Sequence, residues 1–81
     1  MKMSENKFRK EVAEAEGGDV ICYFIGASIA SSAEVNIQVA ALAQAAWEFA
    51  HHPTKVGVLV QRRSEKLLGK FEYLFIKSKG A

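Results

Sequence analysis

Apolar residues recur along this chain with two different periods, and the change from one period to the other marks out its elements. From about Ser4 to Glu16, the residues Phe8, Val12 and Ala15 fall at spacings of four and three, which gathers them on one face of a helix. Lys7/Glu11 and Lys10/Glu14 stand four residues apart as candidate ion pairs on that helix. Gly17 and Gly18 stop it, because a glycine just past the last periodic residue takes up the left-handed conformation at little cost. Asp19 then leads into Val20-Ile21-Cys22-Tyr23-Phe24-Ile25, an unbroken apolar and β-prone run ending at Gly26. A strand that is apolar on both alternating faces needs cover on each side or a place in an interface.

The small and polar stretch from Ala27 to Ser32 reads as a loop or a short helical turn. Ser31 followed three residues later by Glu34 fits a capping box, so a long helix is expected to begin near Ser32. Val35, Val39, Leu42, Ala46 and Phe49 draw one stripe along it, and Ala40, Ala41, Ala43, Ala45 and Ala50 widen the stripe with small side chains. Pro53 ends the element by disfavouring helical geometry at His52. Beyond it the period drops to two. Val56, Val58 and Val60 alternate with Gly57, Leu59 and Gln61, and Phe71, Tyr73 and Phe75 alternate with Glu72, Leu74 and Ile76. The intervening Arg62 to Lys70 is a polar loop in which Gly69 supplies a positive φ, so the two strands form a hairpin.

The order α-β-α-β-β predicts an α+β domain. A right-handed crossover through the long helix sets the first two strands in the same direction, and the hairpin sets the third against both. Placing the third strand in the middle gives a small three-stranded antiparallel sheet of order 1-3-2 with the helices on one face. Two helices cover one face only, so the other is left with an apolar patch, a pattern that favours self-association, as a homodimer, or a protein partner.

With 81 residues the chain has room for one domain, residues 1–81, around one modest core. Its 49% hydrophobic and 25% charged residues belong to a folded chain. Cys22, the single cysteine, has no internal partner and lies in an apolar run, which points to a core packing role and a reducing, cytoplasmic setting. The charged first ten residues and the short apolar run at 20–25 give neither a signal peptide nor a membrane span.

Charge is unevenly divided. Up to Thr54 there are four basic and seven acidic residues, a net −3; from Lys55 on there are seven basic and two acidic, a net +5. Such a split hints at an anionic partner for the basic half. Arg62 and Arg63 end one strand, Lys66 and Lys70 lie in the hairpin loop, and Lys77 and Lys79 extend the tail, so the cations are expected to gather at one end of the sheet and bind phosphates. Set against this is a solvated turn whose charges guard a sheet edge. The adjacent His51 and His52 lack a third ligand at metal spacing, so no metal site or other cofactor is expected. Cys22 would be a desolvated nucleophile without a paired base, and an enzyme is not expected. Trp47 lies off the apolar stripe and is the candidate protein contact on the long helix; Tyr73 is its counterpart on the sheet.

The element order with its basic hairpin resembles the winged helix, whose wing is a hairpin and whose preceding helix enters the major groove. The chain departs from that pattern in having no Lys or Arg between Lys10 and Lys55, so the would-be recognition helix carries no cation for a groove lined by phosphates. Any nucleic acid would therefore be held by Arg62, Arg63, Lys66 and Lys70. Gly18-Asp19-Val20-Ile21-Cys22-Tyr23, Ala45-Ala46-Trp47, Leu59-Val60-Gln61-Arg62-Arg63 and Phe71-Glu72-Tyr73-Leu74 are together similar to small phage and prophage proteins of uncharacterised function. The resemblance implies a phage-borne accessory protein acting in the host cytoplasm, by binding nucleic acid or by binding and inhibiting a host protein or defence complex.

Overall fold

A computed structural model describes residues 3–51 and 56–79. Its elements run α1 (Glu5–Glu14), β1 (Val20–Gly26), α2 (Ile29–Val35), α3 (Ile37–His51), β2 (Gly57–Arg63) and β3 (Phe71–Lys77). The strands form one antiparallel sheet of order β1-β3-β2, as the sequence pattern predicts. Asp19, Gly18 and Ser78 extend the ladder beyond the strand ends, through Gly18 N–H to the Lys77 carbonyl at 2.8 Å and Ser78 N–H to the Val56 carbonyl at 2.9 Å.

The long helix expected from Ser32 is two helices. Asn36 takes an extended conformation, φ −138° and ψ 111°, and its side-chain oxygen accepts from Gln38 N–H at 2.9 Å and Val39 N–H at 3.3 Å. One residue thus ends α2 and caps α3, which is the local competition that Asn side chains offer to a continuing helix. The expected Ser31/Glu34 box does not form. Ser28 caps α2 instead, its hydroxyl accepting from Ser31 N–H at 3.2 Å. Val35 consequently leaves the apolar stripe and stands 88% exposed.

The first helix is capped by Ser4 and stops at Glu14, short of the expected Glu16. The turn that follows rests on Gly18, with φ +92°, and on Gly17, where a Cβ would press on the Lys79 backbone. The ion pairs that form on α1 belong to Arg9, with Glu5 at 2.8 Å and with Glu48 of α3 at 3.3 Å, and not to Lys7 or Lys10. Lys77 donates to the Val12 carbonyl at 2.5 Å. That carbonyl also accepts from Ala15 N–H at 3.3 Å, and a cation beside the last carbonyls of a helix complements its dipole.

All three helices lie on one side of the sheet. Phe8 is the centre of the core, with ring centroids 5.2 Å from Tyr23, 5.6 Å from Phe75 and 5.9 Å from Phe49. Val12, Val39, Leu42, Ala45 and Ala46 close around it. The ladder of β1 slips between Cys22 and Phe24, so that Tyr23 and Phe24 are both buried in the core. An inserted residue of this kind re-aims the following side chains. The opposite sheet face, without a helix over it, carries Val20, Cys22, Leu74, Ile76, Val58 and Val60, with the Arg62–Glu72 pair at one end.

Candidate binding surfaces around strand β2

The hairpin divides the cations that the sequence places together. Arg62, Arg63 and Lys66 line one concavity of about 290 Å³ at the loop end of the sheet, but Glu65 and Glu72 line it too. Arg62 and Glu72 face each other across the ladder and bond at 2.5 Å. That bond and the carboxylate's charge raise the Arg62 pKa above its ordinary value, and Arg62 gives its Nε to Glu72 while the side chain stays largely exposed. Arg63, on the next position, turns to the helix side of the sheet. Lys70 lies across the loop, outside the concavity. Arg63, Lys66 and Lys70 make no ion pair among the described residues. Lys77 and Lys79, expected at this same end, lie at the other: β3 carries Lys77 away to Val12, and Lys79 packs over Gly17 and Gly18. Seven residues of strand separate the two ends, roughly 20 Å.

The loop itself is ordered by Ser64, which is buried. Its N–H donates to the Lys70 carbonyl at 2.9 Å and its hydroxyl accepts from Leu67 N–H at 3.1 Å. Gly69 holds φ +77°, as its place in the loop predicts. At the tip Leu68 is 99% exposed.

A second surface lies on the flank of the sheet. Helix α3 leans over β3 and leaves a groove of about 360 Å³ beside β2, lined by Tyr23, Ile29, Ala43, Trp47, Leu59 and Tyr73 among others. Trp47 forms its rim. The indole is 52% exposed and stacks on His51, with ring centroids 4.3 Å apart, while His51 Nδ1 lies 2.9 Å from the Trp47 carbonyl. Tyr73, expected as a surface contact, is buried at the groove floor; its ring meets Phe24 edge-on and its hydroxyl accepts from Ile29 N–H at 3.2 Å. Of the two predicted contacts, Trp47 is therefore open to a partner and Tyr73 shapes the floor beneath.

The hydrogen-bond phase of β2 follows from its ends. Ser64 bonds to Lys70 and Ser78 to Val56, and in an antiparallel ladder bonded pairs alternate with unbonded ones. Val58, Val60 and Arg62 thus direct their backbone groups to β3. Leu59, Gln61 and Arg63 are exposed and direct theirs outward, where no described residue meets them; Gly57 shares their phase but is buried. Sequence reasoning left this edge out, although the run Gly57 to Gln61 with no charge and no proline was its signal.

The two edges of the sheet differ. The β1 edge is blunted by its ladder slip and by Met3, whose N–H donates to the Tyr23 carbonyl at 3.1 Å. The β2 edge pairs with β3 in unbroken register over seven residues and carries charge only at its last two. Val58, Leu59 and Val60 are all exposed on it. Burial pushes the Cys22 thiol above its usual range, which leaves it a weak nucleophile at neutral pH. Among the described residues no group of three metal-ligating side chains gathers, and no helix is long and apolar enough to cross a membrane.

No protein-family model, curated protein or solved structure matches the chain. The likenesses to the winged helix and to small phage proteins thus stand on element order and short motifs alone.

Proposed function

We propose that this chain is a non-enzymatic protein-binding module that takes an extended segment of a partner as a fourth strand on β2. The observation that carries this reading is the exposed edge from Val58 to Arg63 running beside the Trp47 groove. Strand addition draws affinity from main-chain hydrogen bonds and selectivity from pockets for alternate side chains, and both parts are present on this flank. The fitting segment is extended, with an apolar residue at every second position to enter the groove. A displayed library of random heptapeptides, selected on sparsely immobilised protein so that copies do not meet, should enrich such alternation. Gln61→Pro, which removes one outward N–H and leaves the β3 ladder intact, should abolish the enrichment. A selection that returns the same peptides from Gln61→Pro as from wild type refutes the reading.

The free charges of Arg63, Lys66 and Lys70 favour a second reading, in which the hairpin end holds a nucleic-acid backbone. Glu65 and Glu72 beside them weaken it. Three phosphate contacts would give log K a slope of roughly −2.7 against log salt on duplex DNA. Fluorescence anisotropy should then show Arg63→Ala/Lys66→Ala weakening binding much more than Arg62→Ala. Binding that is absent or independent of salt removes this reading.

A further inference from the structure

We infer that the segment accepted by β2 is acidic at its leading end: it runs antiparallel to β2, sets a carboxylate side chain opposite Arg63, and lays apolar side chains opposite Gln61 and Leu59 in the Trp47 groove. This occupant presupposes the strand addition proposed above and supplies its chemistry.

The face on which each guest side chain falls follows from the register. Leu59 lies opposite Phe75, Gln61 opposite Tyr73 and Arg63 opposite Phe71, and Tyr73 and Phe75 belong to the core beneath the helices. Residues directly opposed in a ladder share a face, so Leu59, Gln61 and Arg63 stand on the helix side. The same residues direct their backbone groups outward and are exposed. A guest residue bonded to any of them therefore presents its own side chain on the helix side. Opposite Leu59 and Gln61 that side chain enters the groove of about 360 Å³, which Tyr23, Trp47 and Tyr73 line and no charged residue does. Opposite Arg63 it meets the basic end of the sheet.

Charge at that end is not balanced within the chain. Arg62 stands on the open face and holds Glu72. Arg63 and Lys66 make no ion pair among the described residues, and Glu65 is the one further acid lining their concavity. The surplus is a single positive charge, which one guest carboxylate answers. Opposite charges directly across a ladder attract, and the guanidinium fork matches a carboxylate.

Direction follows from the ladder. In an antiparallel pair each outward residue exchanges both bonds with one guest residue, and parallel pairing is slightly less stable. An antiparallel guest passes Arg63 first, so its acid precedes its apolar residues: acid, any, apolar, β-branched, apolar. The intervening side chains lie on the open face beside Arg62 and Val60. A second copy of β2 does not fit, because Gly57–Arg63 contains neither Asp nor Glu. A phosphate backbone would meet the cations and leave the groove empty.

The test is fluorescence anisotropy of a labelled, end-capped peptide, Glu-Thr-Phe-Val-Leu flanked by glycines, against the full chain. It should bind, and the peptide with Gln in place of Glu should bind about fivefold more weakly in low salt. The difference should close near 1 M salt, where screening acts within about 3 Å. Arg63→Gln should equalise the two peptides, because the pair is already broken. Arg63→Glu should reverse the order, preferring a peptide with Lys in place of Glu. Methylating the backbone nitrogen of the peptide's Phe, which pairs with Gln61, should abolish binding while the protein is untouched. Equal affinity of wild type for the Glu and Gln peptides, both released by Gln61→Pro, refutes the carboxylate and leaves strand addition standing. So does a Glu peptide that fails to bind while displayed heptapeptides without acid are enriched. Tighter binding of the reversed peptide, Leu-Val-Phe-Thr-Glu, overturns the direction. A chain that binds none of these peptides, or that holds the methylated one equally well, refutes both.

Discussion

Replacing Phe8 by alanine probes the core at its most connected point. The ring is fully buried and meets Tyr23, Phe49 and Phe75 with centroids 5.2, 5.9 and 5.6 Å away, the contact with Phe75 at an interplanar angle of 90°. Truncating a buried phenylalanine removes its transfer free energy and leaves a cavity that neighbours only partly fill, a loss of about 4 kcal/mol. The three edge-on and tilted contacts place this site toward the upper part of that range. A domain of this length has a total stability of roughly 4–12 kcal/mol, so the variant is left with between none and two thirds of it. With a urea slope of about 1 kcal/mol/M, the midpoint should fall by about 4 M, read by circular dichroism with the slope unchanged. Phe8→Leu, which refills most of the cavity, should recover more than half the loss. A fall of less than about 2 M for Phe8→Ala would mean that α1 is not seated on the sheet by this ring.

Two other positions test separate features. A methyl at Gly57 would collide with the Phe75 ring and the Ile76 carbonyl, whereas one at Gly69 meets open space and pays only for its positive φ. Gly57→Ala should therefore cost about 1–3 kcal/mol in a thermal melt and Gly69→Ala about 1, and the reverse ranking would contradict the packing of β2 on Phe75. Burial pushes the Tyr23 hydroxyl up to about 12 from an unfolded value of about 10, so the folded state holds its proton where the unfolded state has released it. The associated stability is complete below pH 10 and is lost as pH rises toward 12; denaturation at pH 9 and 11 should show this fall, and Tyr23→Phe should flatten it.

How far the sequence foretells this molecule depends on the range of the signal. The sheet order was legible because β3 alternates apolar residues on both faces, which suits a middle strand, and because hairpin and crossover fix its direction. The Asn36 break was not, since Val35 and Val39 fit one helix by spacing and only the Asn side chain reveals the boundary. The gathering of Arg62, Arg63 and Lys66 was foreseen; their dilution by Glu65 and Glu72 follows from cross-strand register, which single-residue spacing does not carry. Lys77 was counted with them although the strand's own length carries it to the far end, where the α1 carbonyls claim it. Trp47 falls off the apolar stripe and is half exposed, whereas the burial of Tyr73 depends on the slip in β1 that sets Phe24 opposite it, which residue spacing does not carry.

The strand at the centre of the sheet is also the last of the six elements in chain order. Neither β1 nor β2 has a ladder partner until β3 leaves the ribosome, so the sheet cannot assemble piecemeal during synthesis. Every one of its pairings with β1 closes a loop of about fifty residues, and such distant closures slow folding. During that interval the apolar runs at 20–25 and 56–60 are both without cover, and nascent chains on neighbouring ribosomes present them to one another. The flat edge on which we propose that a partner strand docks is thus also exposed during synthesis, and expression at low temperature with a holdase chaperone should raise the soluble yield.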